Sequence, residues 1–115
     1  MVQARTRVSD VLIRGGVALR VVGDVVLIVA ELVANAVEHG RGRWVDVELS
    51  IDDSAIEIVV SNQGAVDLGD PAGWTMPPAH ARAGRGLPLV RALVDDVKWA
   101  ASQGRLSVRA RRSVR

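Results

Sequence analysis

The chain has 115 residues, of which 49% are hydrophobic and 24% are charged, a balance typical of one compact domain and not of a disordered segment. It contains no cysteine, which excludes disulfides and thiolate metal sites and fits a reducing cytoplasm. Its formal net charge is +2, but five arginines and no acid follow Gly104, so the preceding part of the chain is net negative.

This charge distribution bears on possible partners. Nucleic-acid-binding domains usually carry a basic stripe over a folded face with stacking aromatics, so the arginine-rich tail favours a solvated edge strand and no direct nucleic-acid contact. Nucleic-acid binding through the tail remains an alternative. The apolar run 25–37 is shorter than the roughly 20 residues that span a bilayer, and no apolar signal core follows Met1. We expect a cytoplasmic protein without membrane contact.

Helical spacing predicts two helices at the start of the chain. The first covers about residues 2–14 and ends at the Gly15-Gly16 pair. The second runs from about Leu19 to His39. Apolar residues at steps of three and four predict its core face: Leu19, Val22, Val26, Val29, Val33 and Val37.

The period then changes to two, which predicts strands. Residues 44–51 alternate between polar and apolar side chains, and 52–54 form a turn into a second strand over 56–60. A second hairpin joins 97–101 to 105–111 through residues 102–104. Its last strand directs Leu106, Val108 and Ala110 inward and arginines outward.

Residues 63–84 lack periodicity and contain several glycines and three prolines. Unstructured loops of this length are uncommon in small domains and usually act as lids or binding loops. A third helix is predicted from about Leu87 to Asp95, with Pro88 tolerated in its first turn.

The second helix carries a polar series at steps of four, Glu31, Asn35 and His39. Residues four apart lie on one side of a helix, separated by about 6 Å along its axis. A carboxylate and an amide in an otherwise apolar helix are costly unless polar groups meet them. The series therefore indicates a candidate site.

Three segments in this order resemble the GHKL, or histidine kinase-like, ATPase superfamily. They are Glu31-Leu-Val-Ala-Asn35-Ala-Val-Glu-His39-Gly, then Ser61-Asn62-Gln63-Gly64 after a strand, then Gly84-Arg85-Gly86-Leu87-Pro-Leu-Val at the start of a helix. The resemblance extends over about residues 4–111 and is greatest to bacterial anti-sigma-factor serine/threonine kinases.

The resemblance implies roles for individual residues. Glu31 would be the general base, and Asn35 would be the Mg²⁺ ligand and a phosphate contact. His39 would either lie near the phosphates or satisfy the helix C-terminus. The other ATP-binding positions follow the second strand and precede the third helix: Asn62, Gly64, Gly84, Arg85, Gly86 and Leu87.

Two residues depart from the family pattern Asp-x-Gly-x-Gly. Asn62 stands where the family has the aspartate that accepts from the adenine amino group, and Val66 replaces the second glycine. An amide can pair with adenine but gives up a charge-assisted bond, at a cost on the order of 1–2 kcal/mol. We expect ATP binding that is weakened.

The resemblance also implies the fold class. It is an α+β, two-layer sandwich with about three helices on one face of a mixed, mostly antiparallel sheet of about four strands. We expect one domain, 1–115, without the strand that normally precedes the family's first helix. The edge left exposed favours a homodimer or a protein complex.

The function implied is that of an anti-sigma-factor-like serine protein kinase using ATP and Mg²⁺. Its partners would be a sigma factor and the antagonist protein that it phosphorylates. The alternative is a degenerate, non-catalytic module that sequesters a partner without turnover.

Overall fold

The computed structural model describes residues 2–39, 44–64, 67–76 and 86–114, with side chains from Val8 onward in the first helix and up to Glu38 in the second. The elements follow the predicted order. They are α1 (Val2–Arg14), α2 (Leu19–His39), β1 (Val45–Ile51), β2 (Ala55–Gln63), a 3-10 turn (Pro71–Gly73), α3 (Gly86–Leu93), β3 (Asp96–Ser102) and β4 (Arg105–Ser113).

The four strands form one sheet in the order β1-β2-β4-β3, and each neighbouring pair is antiparallel. The three helices cover one face of the sheet, since Leu12 of α1 and Val90 of α3 join the same core cluster as α2 and the inner residues of β2 and β4. The opposite face carries exposed polar residues such as Glu48 and Arg109. The predicted two-layer α+β sandwich is confirmed, with a wholly antiparallel sheet among the described strands.

Helix α2 supplies about half of the core because it lies across the sheet between α1 and α3. Its buried residues are Val21, Val22, Val25, Ile28, Val29, Leu32, Val33 and Ala36. The prediction that Leu19 and Val37 belong to this face is wrong, since their side chains are 75% and 67% exposed. The helix is apolar around most of its circumference, so spacing alone could not tell which side meets the sheet.

Two turns have the backbone that their glycines allow. At the end of α1, the Gly16 N–H donates to Ile13 O and the Val17 N–H donates to Leu12 O, a Schellman arrangement with Gly16 at φ +78°. Between β3 and β4, Gln103 and Gly104 have φ of +52° and +75°. That is a two-residue hairpin loop whose twist suits antiparallel strands.

The arginines of the C-terminal tail are engaged with the fold. Arg109 pairs with Glu57 at 2.8 Å across β2 and β4, and Arg105 stacks 5.0 Å from the ring centre of Trp44. The half-buried Arg112 donates to Asp24 of α2 at 2.8 Å. The tail is an inner strand that pairs with β2 and β3, so the expectation of an edge strand is wrong, and Arg112 ties this strand to α2. No helix in the described part of the chain has both the length and the hydropathy to cross a membrane.

Candidate functional site

Glu31 and Asn35 lie one turn apart on α2, and both are half-buried. Each is next to a fully covered position, because Leu32 and Ala36 are buried against the sheet. The two polar side chains therefore occupy the border between the core face of α2 and its accessible surface. That border is where a carboxylate and an amide can be partly shielded and still reach a ligand.

Helix α3 begins directly beside Glu31. Gly86 is its first residue, and a Cβ placed there would stand 2.9 Å from Oε2 of Glu31, closer than such contacts occur. The absence of a side chain at position 86 thus creates the space that the carboxylate occupies. The first turn of α3 contains no acidic residue, so Glu31 supplies the negative charge that the positive end of the helix dipole favours.

Asn62 lies near the end of β2, on the face covered by the helices. It pairs in register with Leu106, whose side chain is in the core, and Asn62 itself is 3% exposed. Its Nδ2 donates to the carbonyl oxygen of Gln63 at 3.0 Å. Gly64 follows and is also buried, with its N–H donating to Gly104 O at 2.8 Å. The backbone that carries this candidate adenine contact is therefore tied to the β3–β4 turn.

The structure describes only some of the remaining predicted site residues. Leu87, the second residue of α3, is half-buried and packs against the core cluster. His39 is the last residue of α2, but its side chain lies outside the described part of the chain. Gly84, Arg85 and Val66 lie outside the described residues altogether.

The polar side chains of the site suit a magnesium ion that is bound partly by a nucleotide better than an ion that is held by protein ligands alone. Among the described residues, no group of three or more His, Asp or Glu side chains could hold a metal ion. Mg²⁺ is commonly held by one or two protein oxygens together with phosphates and water. The Asn35 carbonyl oxygen, with the Glu31 carboxylate one turn away, is consistent with that arrangement.

The loop 67–76 contains structural contacts that the sequence pattern did not predict. Trp74 is buried with its indole N–H donating to Leu68 O, and Trp99 of β3 donates to Gly69 O. Arg91 of α3 donates to Trp74 O, which ties the loop to the helix that begins at the site. Described residues of the expected lid therefore form a pinned loop with a 3-10 turn capped by Asp70. The sequence offered one indication of these contacts, which is a tryptophan within a polar loop that contains a proline.

Comparison with known proteins identifies a family and one curated relative. A family model described as a histidine kinase-like ATPase domain matches residues 1–112. An anti-sigma F factor from Pasteuria penetrans is 29% identical over 94 residues, which cover 74% of this chain and 63% of that protein. The chain therefore spans less than two thirds of the length of this relative.

Proposed function

The chain belongs to the histidine kinase-like ATPase family, and on that premise we propose that it is an anti-sigma-factor-like serine protein kinase. It would hold a sigma factor and phosphorylate a serine of that factor's antagonist, as a single cytoplasmic domain. Family membership implies ATP binding, usually with Mg²⁺. The partner assignment is supported by the name of the anti-sigma F factor relative.

The observation that carries the proposal is the contact between Glu31 and the first residue of α3. It holds a carboxylate at a helix N-terminus, one turn from an amide oxygen. Carboxylates in such positions can accept a proton from a nearby hydroxyl, and backbone N–H groups at a helix start favour phosphate oxygens. The site thus combines a base with an anion-binding helix end.

Each residue then has a defined task in the proposed reaction. Glu31 would accept the proton of the attacking serine hydroxyl, and Asn35 would ligate Mg²⁺ through its side-chain oxygen and so orient the phosphates bound to that ion. The start of α3 receives the phosphate oxygens, and Asn62 hydrogen bonds the adenine edge. When bound, ATP·Mg²⁺ supplies the γ-phosphoryl group, whose bond to ADP breaks as its bond to the serine oxygen forms.

Phosphotransfer from labelled ATP·Mg²⁺ to candidate antagonist proteins tests the proposal. Wild type should transfer label to a serine, and Glu31→Ala should lose about two orders of magnitude or more in rate, the usual effect of removing a general base. Glu48→Ala is the matched control, since Glu48 is an exposed carboxylate on the far face of the sheet. Transfer that persists in Glu31→Ala, or its absence in wild type with every antagonist, would refute the kinase assignment.

The alternative is a degenerate module that binds its partner without turnover. It is favoured by Asn62, whose amide replaces the family's aspartate and donates to the neighbouring backbone. Calorimetry with a non-hydrolysable ATP analogue separates the two functions. A Kd below roughly 100 μM, or about −5.5 kcal/mol, supports the enzyme, whereas no heat at millimolar ligand supports the module.

A further inference from the structure

A trough crosses the outer face of the sheet, on the side opposite the helices and the candidate ATP site. Its floor is a row of small side chains that strand pairing places side by side: Ala100 of β3, Ser107 of β4 and Ser61 of β2. The two flanking rows carry long side chains, with Arg105 in one row and Arg109 and Lys98 in the other. The register therefore forms a cavity of about 430 Å³ between walls that carry cationic side chains.

The spacing along β4 lets both of its arginines reach the same point. Arg105, Ser107 and Arg109 alternate onto one face of the strand, so each arginine Cα lies about 7 Å from the Cα of Ser107. An extended arginine side chain can span that distance. Lys98 is paired in register with Arg109 across β3 and β4. Cations from two strands can therefore approach a group that rests on Ser107.

The floor of the trough also supplies a hydrogen-bond donor. The hydroxyl oxygens of Ser61 and Ser107 are 2.9 Å apart, and Ser61 is only 2% exposed. Two hydroxyls contain two protons, and the hydrogen bond between them uses one. Among the described residues no acceptor takes the other proton. The serine pair can therefore donate it to a ligand in the trough.

The charges that line the trough favour an anion. Among the described lining residues, the three cations face one acid, Glu48. The same cations pair with acids outside the lining, at 2.8, 3.5 and 3.8 Å: Glu57, Asp46 and Asp96. These pairs are partly or largely exposed, so each contributes little, and an arginine has more N–H donors than one ion pair uses. The remaining donors are available to a ligand.

We propose that the trough binds the dianion of a phosphate monoester. Such a group has close to two negative charges near pH 7 and three acceptor oxygens, so it can engage Arg105, Arg109 and the serine pair together. A carboxylate has one charge and two oxygens and would engage fewer of these groups. The trough is separate from the candidate ATP site, because Asn62 faces the helices. The proposal does not depend on kinase activity.

The three tryptophans of the chain report where phosphate binds. Trp99 lines the trough and the Trp44 ring stacks 5.0 Å from Arg105, whereas Trp74 is tied to α3 by Arg91. The indole N–H signals are followed by NMR while inorganic phosphate is added at constant ionic strength. The Trp44 and Trp99 signals should shift together with one Kd of about 5 mM or less, and the Trp74 signal should not. A shift of Trp74 alone, or no shift of Trp44 and Trp99 up to about 50 mM, would overturn the proposal.

Charge variants test whether the trough itself attracts the anion. Arg109→Gln should weaken phosphate binding by at least about fivefold, because it removes charged donors. Arg111→Gln is the matched control, since Arg111 is the next outward residue of β4 and makes the same charge change outside the lining. Glu48→Gln should tighten binding, because it removes a carboxylate from the lining. Equal weakening by the two arginine variants would mean that overall charge, and not the trough, attracts phosphate.

Serine variants test the floor without any change of charge. Ser61→Ala with Ser107→Ala removes the hydroxyl pair and should weaken phosphate binding by about threefold or more. Ser50→Ala is the control, because Ser50 is an exposed serine of β1 outside the lining. Circular dichroism checks that both proteins are folded. Unchanged affinity in the folded double variant would contradict binding on the serine floor.

Comparison of ligands tests the chemical class and its source. Acetate should bind at least about tenfold more weakly than phosphate, and equal affinity for the two would overturn the assignment to phosphate. A phosphoserine peptide and glycerol phosphate then represent a phosphorylated protein and a free metabolite. Tighter binding of the peptide would identify a phosphorylated protein as the source, and the reverse order would identify a metabolite. Either order supports the site, provided that Arg109→Gln weakens the binding.

Discussion

Gly86 and Glu31 are 55 positions apart in the chain, yet the carboxylate of Glu31 occupies the space that a side chain at position 86 would fill. The contact joins α2 to the start of α3 at the candidate site. It gives the glycine a role that differs from close approach to phosphate. Gly86 leaves room for the proposed base.

Gly86→Ala tests this relationship. At the first residue of a helix alanine should gain less than the roughly 0.5–1 kcal/mol of an interior position, and the end of a flexible side chain can move aside at little cost, so we expect unfolding stability to be unchanged or slightly higher. The displaced carboxylate should slow phosphotransfer by at least about tenfold, since misplacement of a reacting group by 1 Å can cost more. Urea unfolding and a phosphotransfer assay measure the two effects.

Gly73→Ala is the matched control, because a Cβ at position 73 meets nothing within 4 Å. It should leave phosphotransfer unchanged. In a Glu31→Ala background, Gly86→Ala should show the full gain in stability, because no carboxylate remains to be displaced. Equal effects of Gly86→Ala with and without Glu31 would show that the two residues are not coupled.

Asn62→Asp should restore the charged acceptor of the family pattern. We expect ATP-analogue affinity to increase by about tenfold, corresponding to 1–2 kcal/mol, as measured by calorimetry. The nucleotide-free protein should lose stability, because position 62 is 3% exposed and a buried carboxylate needs a partner.

The exposed neighbour Gln63 provides the control for this charge change. Gln63→Glu adds the same negative charge outside the buried face, so it should not tighten nucleotide binding. If Asn62→Asp also leaves affinity unchanged, Asn62 does not contact adenine.

Arg112→Met should destabilise the fold by about 1–2 kcal/mol in urea unfolding. The Arg112 side chain is 14% exposed and its guanidinium donates to Asp24 at 2.8 Å, so its removal leaves a partly covered carboxylate without its partner. Lys98→Met is the comparison, because the Lys98–Asp96 pair is 3.8 Å long and exposed at both ends. It should change stability by less than about 0.5 kcal/mol, and equal losses in both variants would contradict this assignment.

The β1–β2 turn should respond to acid. Hydrogen bonds from the Ser54 and Ala55 backbone N–H groups and the Ser54 hydroxyl lower the pKa of Asp52 from 3.8 to about 2. A carboxyl whose pKa is lower in the folded state stabilises the fold above its unfolded pKa and loses that effect as the pH falls toward its folded pKa. The contribution should therefore be nearly complete above about pH 4, be mostly lost by about pH 2, and vanish only below that pH.

Asp52→Asn isolates this charge, because asparagine keeps an acceptor oxygen. Its melting temperature should lie below that of wild type at pH 6, and the difference should shrink steadily as the pH falls toward and below about 2. Asp53→Asn is the matched control, because it removes the adjacent turn carboxylate and leaves the hydrogen bonds to Asp52 in place. A difference between wild type and Asp52→Asn that is independent of pH would rule out the charged hydrogen bonds as its cause.

Much of the fold could be predicted because its signals are local. The bounds of α2 match the predicted 19–39, and both hairpins form where alternation and turn residues indicated. The spacing of Glu31 and Asn35 also predicted that they share one side of a helix. These features depend on backbone periodicity and on turn residues a few positions apart.

Long-range contacts explain what the patterns missed. Trp74 and Trp99 hold the 67–76 loop in place through hydrogen bonds to backbone oxygens, and Trp99 lies 30 residues from its acceptor, Gly69. Hydrophobic periodicity does not predict such bonds. The outward orientation of Leu19 and Val37 was missed because apolar residues surround most of α2.

The amino-acid sequence alone was enough to indicate the family, the helices and strands, and the pairing of Glu31 with Asn35 on α2. Each of these depends on residues that lie only a few positions apart. Which side of α2 meets the sheet, and that Gly86 makes room for Glu31, depended on how distant segments pack. Packing balances the burial of all elements together, so these contacts exist only once the helices and the sheet have assembled.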